Sequence, residues 1–226
     1  MKRIAFLLSL ALMVPAVAFS AKKEKAPKAL KTVNYENVKI YAQSGRNSQK
    51  RGSAVSLIDG RTMALEDGVN DTRAVDIMLF YGKVDHSKTK FFTMFAPGNP
   101  TLNIDWEKDG GTSPYCKFEG KRDDPDAYSA LKNWKKRNET KMEKVEGIDF
   151  DAATGEQINS LSVSDSYWVK DVKVGDVILF ELGETSYKAG HKGLIKVVAL
   201  EDDETKPEKK GVGQNQRLVL SIKYVK

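Results

Sequence analysis

The chain has 226 residues, of which 40% are hydrophobic and 30% charged, and 37 Lys and Arg against 31 Asp and Glu give a formal net charge of +6. This apolar content excludes a wholly disordered chain, and the single cysteine excludes an internal disulfide framework and every multi-cysteine zinc or iron–sulfur site. The charge excess is modest and no recognised nucleic-acid motif is present, which argues against nucleic acid as a partner.

The first twenty residues predict a cleavable export signal. Lys2 and Arg3 precede an apolar run over residues 4–17, and Ala18 and Ser20 are small residues at the two positions that a signal peptidase reads. The run is too short for a membrane span, and no later stretch approaches the ~20 apolar residues that a membrane helix needs. Because no cysteine lies near the cleavage site, we expect no lipid anchor. The mature protein is expected to be exported, periplasmic or extracellular, after cleavage near Ser20.

The rest of the chain predicts one β-rich domain. Residues 21–33 are rich in Lys and Ala and predict a disordered leader, which leaves residues 34–226 for the domain. Short runs with β-branched or aromatic residues recur between Gly, Pro and Asp turn signals. In the first half, these runs predict strands over residues 38–41, 54–58, 74–81, 91–96 and 102–106.

One long helix is predicted near residues 125–145. Asp124 is a suitable N-cap, Pro125 suits the first helical position, and Asp126 complements the positive end of the helix dipole. Apolar residues then recur at roughly helical spacing, at Tyr128, Leu131, Trp134, Met142 and Val145. The cations between them are expected to form a solvated face, and a surface for acidic ligands is the alternative.

The second half returns to strands, predicted over residues 148–150, 166–169, 176–181, 193–200 and 217–224. The charged residues 201–214 predict a long hairpin loop between the last two strands, and the last strand alternates apolar residues that should share one face. The predicted fold is mainly β (α+β): an antiparallel β-sandwich or partly open barrel of about ten strands, with the long helix packed on the sheet.

Two of these strands are alike in sequence. Residues 76–82 read Asp-Ile-Met-Leu-Phe-Tyr-Gly and residues 176–181 read Asp-Val-Ile-Leu-Phe-Glu, and each run precedes a loop with one of the two histidines. A chance likeness between two core strands is one explanation. The alternative is a duplication, with related β units over residues 34–120 and 148–226 joined by the helix.

Few residues are candidates for chemistry. The sequence lacks the G-x-S-x-G, H-E-x-x-H and G-x-x-x-x-G-K motifs, so we assign no catalytic residue and no cofactor. The candidate ligand contacts are the imidazoles of His86 and His191 and the strand aromatics Tyr167 and Trp168.

A candidate calcium loop is formed by alternating acidic residues, Asp149 and Asp151, with Glu156 following. It lacks the third ligand, the glycine position and the distant glutamate of an EF-hand, so no metal is assigned. A turn between strands is the favoured interpretation of this segment.

Two resemblances follow from the strand patterns. Residues 175–180 (Gly-Asp-Val-Ile-Leu-Phe) with residues 191–197 (His-Lys-Gly-Leu-Ile-Lys-Val) resemble a hairpin common in uncharacterised secreted β-rich proteins of Bacteroides-type bacteria. The chain is also similar in style to the haem-binding hemophore family, exported β proteins with His or Met axial ligands, although residues 75–78 read Val-Asp-Ile-Met instead of that family's Trp-Asp-Ile-Ala. The second resemblance implies haem binding.

The leading functional hypothesis is an exported, non-enzymatic binding or interaction module of the envelope or cell exterior. Its expected partner is an unknown envelope protein or a glycan. One alternative is a hydrolase that uses clustered carboxylates with His191 nearby. The other is a haem-binding protein in which His86 and His191 are the candidate axial ligands.

Overall fold

The computed structural model describes residues 29–42, 52–68, 70–82, 88–99, 136–202 and 216–226. In this part of the chain the fold is mainly β, as predicted. The strands are β1 (Thr32–Tyr41), β2 (Gly52–Val55), β3 (Thr62–Ala64), β4 (Ile77–Gly82), β5 (Phe91–Phe95), β6 (Lys141–Lys144), β7 (Trp168–Val169), β8 (Val177–Glu181), β9 (Lys192–Asp202) and β10 (Gln216–Val225). The helices are α1 (Leu65–Gly68) and α2 (Gly155–Ser160).

The ten strands form two antiparallel sheets of five strands each. The sheet that contains the longest strands is called the larger sheet and has the order β1-β10-β9-β8-β6. The other is called the smaller sheet and has the order β3-β2-β4-β5-β7. The prediction of about ten antiparallel strands is therefore confirmed. The last two strands pair with each other, with Leu200 opposite Leu218 and Gly193 opposite Tyr224, and the predicted loop between them lies mostly outside the described residues.

The two sheets share one hydrophobic core. The smaller sheet contributes side chains such as Ile77, Leu79 and Met94. The larger sheet contributes Ile178, Phe180, Ile195, Leu218, Leu220, Ile222 and Tyr224. Alternate residues of the last strand thus share one buried face, as the sequence predicts.

The opposite face of the larger sheet is covered by a second, smaller cluster beneath α2. Its buried members are Phe150, Ile158, Leu179, Leu194 and Val225. The helix is fixed by a capping box, in which Thr154 accepts the backbone N–H of Gln157 and the Gln157 side chain accepts that of Thr154. Strand β8 and the beginning of β9 are therefore covered on both faces, which explains their almost continuous apolar runs, whereas Val198 and Leu200 later in β9 are exposed.

The sheets meet at the segment that contains β7. The N–H of Met142 in β6 donates to the carbonyl of Ser166 at 2.7 Å, and the N–H of Ala96, after β5, donates to the carbonyl of Tyr167 at 2.9 Å. Consecutive residues of one segment thus bond to the edge strand β6 of the larger sheet and to the residue that follows β5 in the smaller sheet. The segment fixes the relative position of the two sheets at this side of the core.

The predicted long helix is wrong over its C-terminal part. Residues 141–144 form β6, which pairs with β8, and residues 136–140 are neither helix nor strand. The sequence misled because a spacing of three between Met142 and Val145 suggests one helix face, whereas in the structure Met142 lies in the shared core and Val145 packs against the cluster beneath α2, on the other face of the sheet. Pairing with β8 satisfies the backbone and outweighs helix propensity here. The remainder of the predicted helix lies outside the described residues.

Two further strand predictions have different outcomes. Residues 148–150 form a turn instead of a strand, because the Asp149 side chain accepts the N–H of Asp151 at 2.9 Å. The strand predicted over residues 102–106 lies outside the described residues.

Candidate functional site

A polar cleft lies at the end of the larger sheet where β6 begins and β8 ends. Its volume is about 290 Å³, and one wall is formed by residues 183–190, which join β8 to β9 and are called the cleft loop below. Three glutamates, a lysine and a tyrosine supply its polar side chains. The lining includes Glu139, Lys141, Tyr167, Glu181, Gly183 and Glu184.

Glu181 lies opposite one lysine on each of its two neighbouring strands. Lys141 of β6 and Lys192 of β9 both lie opposite Glu181 in the sheet register. The Lys192 ammonium is 3.6 Å from the Glu181 carboxylate and donates to the carbonyl of Leu161 at 2.5 Å. Opposed residues of opposite charge stabilise antiparallel pairs, and the Lys192 ammonium is placed to orient the Glu181 carboxylate, whereas the Lys141 ammonium pairs with Asp165.

Tyr167 supplies the aromatic part of the lining. Its ring is half-buried and packs against the shared core, and its hydroxyl donates to Asp165 at 3.4 Å. Asp165 also pairs with Lys141 at 2.9 Å, and this hydrogen bond raises the pKa of Lys141 and lowers that of Asp165. Burial, and then the Asp165 carboxylate, raise the pKa of Tyr167, so its phenol stays protonated and can donate a hydrogen bond at neutral pH.

Gly183 allows the cleft loop to approach β6 closely. A Cβ atom at this position would lie 2.6 Å from the backbone carbon and oxygen of Glu139. No side chain fits at that distance, so the loop can lie this close to Glu139 only with glycine at position 183. The position of this cleft wall is therefore encoded by one residue.

The structure describes three of the four predicted ligand contacts and places them in different positions. Tyr167 lines the cleft and Trp168 does not; the Trp168 ring instead lies 4.3 Å from the Lys170 ammonium, beside Phe95 in the register of the smaller sheet. His191 directly follows the cleft loop, and His86 lies outside the described residues.

His191 is half-buried beside a buried tyrosine. Its Nδ1 is 2.9 Å from the Tyr224 hydroxyl and 3.1 Å from the carbonyl of Val225, and the two rings stack. Burial raises the pKa of Tyr224 to about 12. Nδ1 donates a hydrogen bond to the carbonyl of Val225 in the tautomer that carries a proton on Nδ1, and accepts one from the Tyr224 hydroxyl in the other tautomer. With His86 outside the described residues, the haem hypothesis stays a prediction.

The three candidate calcium ligands point to different partners. Asp149 accepts the N–H of Asp151, Asp151 pairs with Lys196 at 2.9 Å, and Glu156 accepts the N–H of Leu30 at 2.7 Å. Among the described residues, no group of three or more His, Cys, Asp or Glu is placed to hold a metal ion. These carboxylates stabilise the turn and the start of α2.

A buried polar network lies behind the cleft loop. The carboxylate of Asp76 is fully buried, and its Oδ1 accepts hydrogen bonds from Asn138 Nδ2 at 2.5 Å and from the Ser186 hydroxyl at 3.0 Å. Its Oδ2 accepts the backbone N–H of Leu57 at 2.8 Å. All three donors are neutral, and they come from three distant segments of the chain.

Burial raises the pKa of Asp76 to about 7, because the charged form has lost its hydration. The hydrogen bonds from Leu57, Ser186 and Asn138 act in the opposite direction, and the nearby Asp59 adds to the rise. Asp76 therefore titrates near neutrality.

A second cavity, of about 380 Å³, lies beside α2. Its lining is mainly apolar, and the Gln157 side chain that borders it is already used in the capping box. The apolar lining residues are Ile148, Ala152, Ala153, Ile158 and Leu161.

Sequence reasoning missed the glutamates of the cleft and the Asp76 network. Glu181 could have been noticed as a charge that closes the apolar run of β8, and Gly183 as a glycine two residues later. For Asn138 and Ser186 the sequence carries no signal, because they lie 62 and 110 residues from Asp76.

Comparisons with protein-family models, curated proteins and solved structures give no match for this chain. In the part of the chain that the structure describes, no helix is both long enough and apolar enough to cross a membrane.

Proposed function

We propose that this protein is an exported, non-enzymatic binding module, built as a β-sandwich, whose polar cleft binds a glycan at the cell envelope or exterior. The observation that carries the proposal is the cleft itself, in which Tyr167 meets three glutamates and a lysine. The export signal expected over residues 1–20 supports the location. The shared core of the two sheets supports the sandwich.

The donor and acceptor balance of the cleft favours a ligand rich in hydroxyl groups. Ionised carboxylates accept hydrogen bonds and cannot donate them, whereas a lysine ammonium donates and cannot accept. Glu139, Glu181 and Glu184 thus offer acceptors to hydroxyl or ammonium donors, and Lys141 offers a donor to a ring or hydroxyl oxygen. Neutral sugars and amino sugars match this pattern.

The size and the aromatic residue also fit a small saccharide. A cleft of about 290 Å³ is at the lower end of the range typical of small-molecule sites, roughly 300–1,000 Å³. Tyr167 combines an apolar ring with a hydroxyl oxygen that can accept a hydrogen bond while its proton is donated to Asp165, which suits a ligand with both apolar C–H faces and polar edges. We therefore expect one sugar unit to enter the cleft.

A glycan array followed by calorimetry tests this proposal. We expect binding of a neutral or amino-sugar glycan, and a loss of about tenfold in affinity for Tyr167→Ala. The matched control is Tyr41→Ala, which removes a tyrosine from β1, at the edge of the larger sheet opposite to β6 and the cleft. An array without a hit, or equal affinities for the two variants, would contradict the proposal.

A glycan hydrolase is the second candidate, favoured by the three glutamates that line one cleft. Glycoside hydrolysis requires two carboxyl groups on either side of the scissile bond. Incubation of array hits with the protein should then release reducing ends, and Glu181→Gln and Glu184→Gln should each abolish release. Binding without release would leave the non-enzymatic module as the function.

A further inference from the structure

We propose that Asp76 is a positioning residue for the cleft, because it anchors the cleft loop through Ser186, and that the strength of this anchor depends on pH. This proposal rests on the proposed function only for its consequence, which is that ligand affinity follows the state of the loop. The anchor itself can be measured without any ligand.

The cleft loop links the network to the cleft within a few residues. Ser186 is buried and donates to Asp76, while Gly183, Glu184 and Gly190 of the same loop line the cleft. A change in the contact at Ser186 therefore moves the wall that carries the Glu184 carboxylate.

A second set of contacts holds the outer side of the loop. The Arg73 guanidinium donates to the carbonyl of Thr185 at 3.1 Å and lies 4.5 Å from the ring of Tyr187, whose hydroxyl donates to Asp71 at 2.9 Å. These contacts are exposed to water, whereas the contact at Ser186 is buried. The exposed contacts of Arg73 and Tyr187 limit how far the cleft loop can move. The buried contact between Ser186 and Asp76 determines whether the loop is closed.

The groups around Asp76 do not balance its negative charge. Leu57, Asn138 and Ser186 donate neutral hydrogen bonds, and the titratable groups that act on it from the packed elements are Asp59, after β2, and Tyr224, in β10. Among the described residues, no Lys, Arg or His forms an ion pair with Asp76. A buried charge without a cation is costly, so hydration of the carboxylate favours an open loop.

The direction of the pH effect follows from linkage. In the closed state the pKa of Asp76 is about 7, and in an open state with water at the carboxylate it returns towards the ordinary value of about 4. The closed state therefore binds more protons between these values, and rising pH favours opening by at most about tenfold per pH unit. Above pH ~7 both states are ionised and the effect levels off.

Hydrogen exchange in the protein without ligand tests the anchor. The reporters are the backbone amides of Ser186, Gly190 and His191, each of which donates a hydrogen bond within or next to the loop. After correction for intrinsic exchange, we expect their protection to fall by roughly tenfold or more between pH 5 and pH 7, and to change little between pH 7 and pH 8. The amide of Leu220, in β10, reports global unfolding and should stay more protected throughout.

Two variants and one control isolate Asp76. Asp76→Asn should remove the pH dependence of loop protection. Ser186→Ala should lower loop protection at pH 5 and flatten its pH profile, while the control Ser160→Ala, which removes a hydroxyl that donates within α2, should behave as the wild type.

Three results would overturn the anchor: pH-independent loop protection in the wild type, equal protection of the loop and Leu220 at every pH, or a wild-type profile in Ser186→Ala. If a glycan binds, its affinity should be higher at pH 5.5 than at pH 7.5 in the wild type and equal at the two in Asp76→Asn. If no glycan binds, the proposed function fails while the exchange result still decides whether the anchor exists.

Discussion

Asp76 and Asp176 precede strands of nearly the same sequence, yet they lie in opposite kinds of environment. Asp76 is fully buried among three neutral donors. Asp176 is partly exposed and pairs with the Lys144 ammonium at 2.7 Å. Each carboxylate also accepts a backbone N–H, from Leu57 or from Lys173. The aspartate at the start of such a strand therefore has a shared backbone role, and its charge chemistry depends on which distant segments pack against it.

The two strands also turn opposite faces to the shared core. In β4 the core residues are Ile77 and Leu79, and in β8 they are Ile178 and Phe180. Leu179, which aligns with Leu79, belongs to the cluster under α2. The likeness in sequence specifies two buried strands without specifying which side faces the core, because both faces of each strand are covered.

Removing the Asp76 carboxylate and removing the Asp176 carboxylate should lower the free energy of unfolding by very different amounts. Asp76→Ala leaves the buried donors of Leu57, Asn138 and Ser186 without their acceptor, so we expect a loss of about 3–5 kcal/mol in the free energy of unfolding. Urea denaturation at pH 5, where Asp76 is mostly protonated in the folded protein, measures it, with Asp176→Ala as the matched variant at the equivalent position. Similar losses in both variants would show that the two sites are energetically alike.

The pH dependence of the free energy of unfolding should also distinguish the Asp76 site from the Asp176 site. Asp76 has a pKa of about 7 in the folded protein, above the value of about 4 in an unfolded chain, so its contribution to stability is complete below pH ~4 and is lost as the pH rises to ~7. The slope attributable to this group approaches about 1.4 kcal/mol per pH unit within that range. Denaturation at several pH values should show that Asp76→Asn removes this component and that Asp176→Asn retains it.

The smallest effect on stability is expected for the exposed ion pair between Lys144 and Asp176. Lys144→Met removes the partner of Asp176, and because both side chains contact water the cost should be about 0.2–1 kcal/mol and should shrink at high salt. Thermal unfolding at low and high ionic strength measures it. A loss that matches that of Asp76→Ala, or one insensitive to salt, would mean that the pair is buried in solution.

Much of the fold was predictable because local patterns sufficed for it. Apolar residues alternate in β10 and form runs in β8 and β9, and all three segments are enriched in β-branched and aromatic residues. Both features favour strands. The segment around Met142 was not predictable in the same way. Its charged residues fit a helix face as well as a half-exposed strand, and the choice is made by the pairing edge that β8 offers.

The candidate site was predictable only in part. Tyr167 was singled out as a strand aromatic, and it does line the cleft. The carboxylates around it look like any solvated charge in sequence, and only the fold brings Glu139 beside Glu181 and Glu184. Asp76 is a similar case, since its burial results from Asn138 and Ser186, whose positions depend on the assembled core.

The pairing of β1 with β10 determines how the molecule responds to mechanical load. The N–H of Lys226 donates to the carbonyl of Lys31 at 2.8 Å, and Thr32 lies opposite Val225 in the antiparallel register. Opposed forces applied at Lys31 and Lys226 therefore act on the hydrogen bonds one after another, and β1 peels from the sheet at low tension. Forces applied at Ala42 and Lys226 instead load all of these bonds together in shear. A protein tethered at Lys31 and Lys226 would lose β1 first, so its mechanical strength depends on the points of attachment.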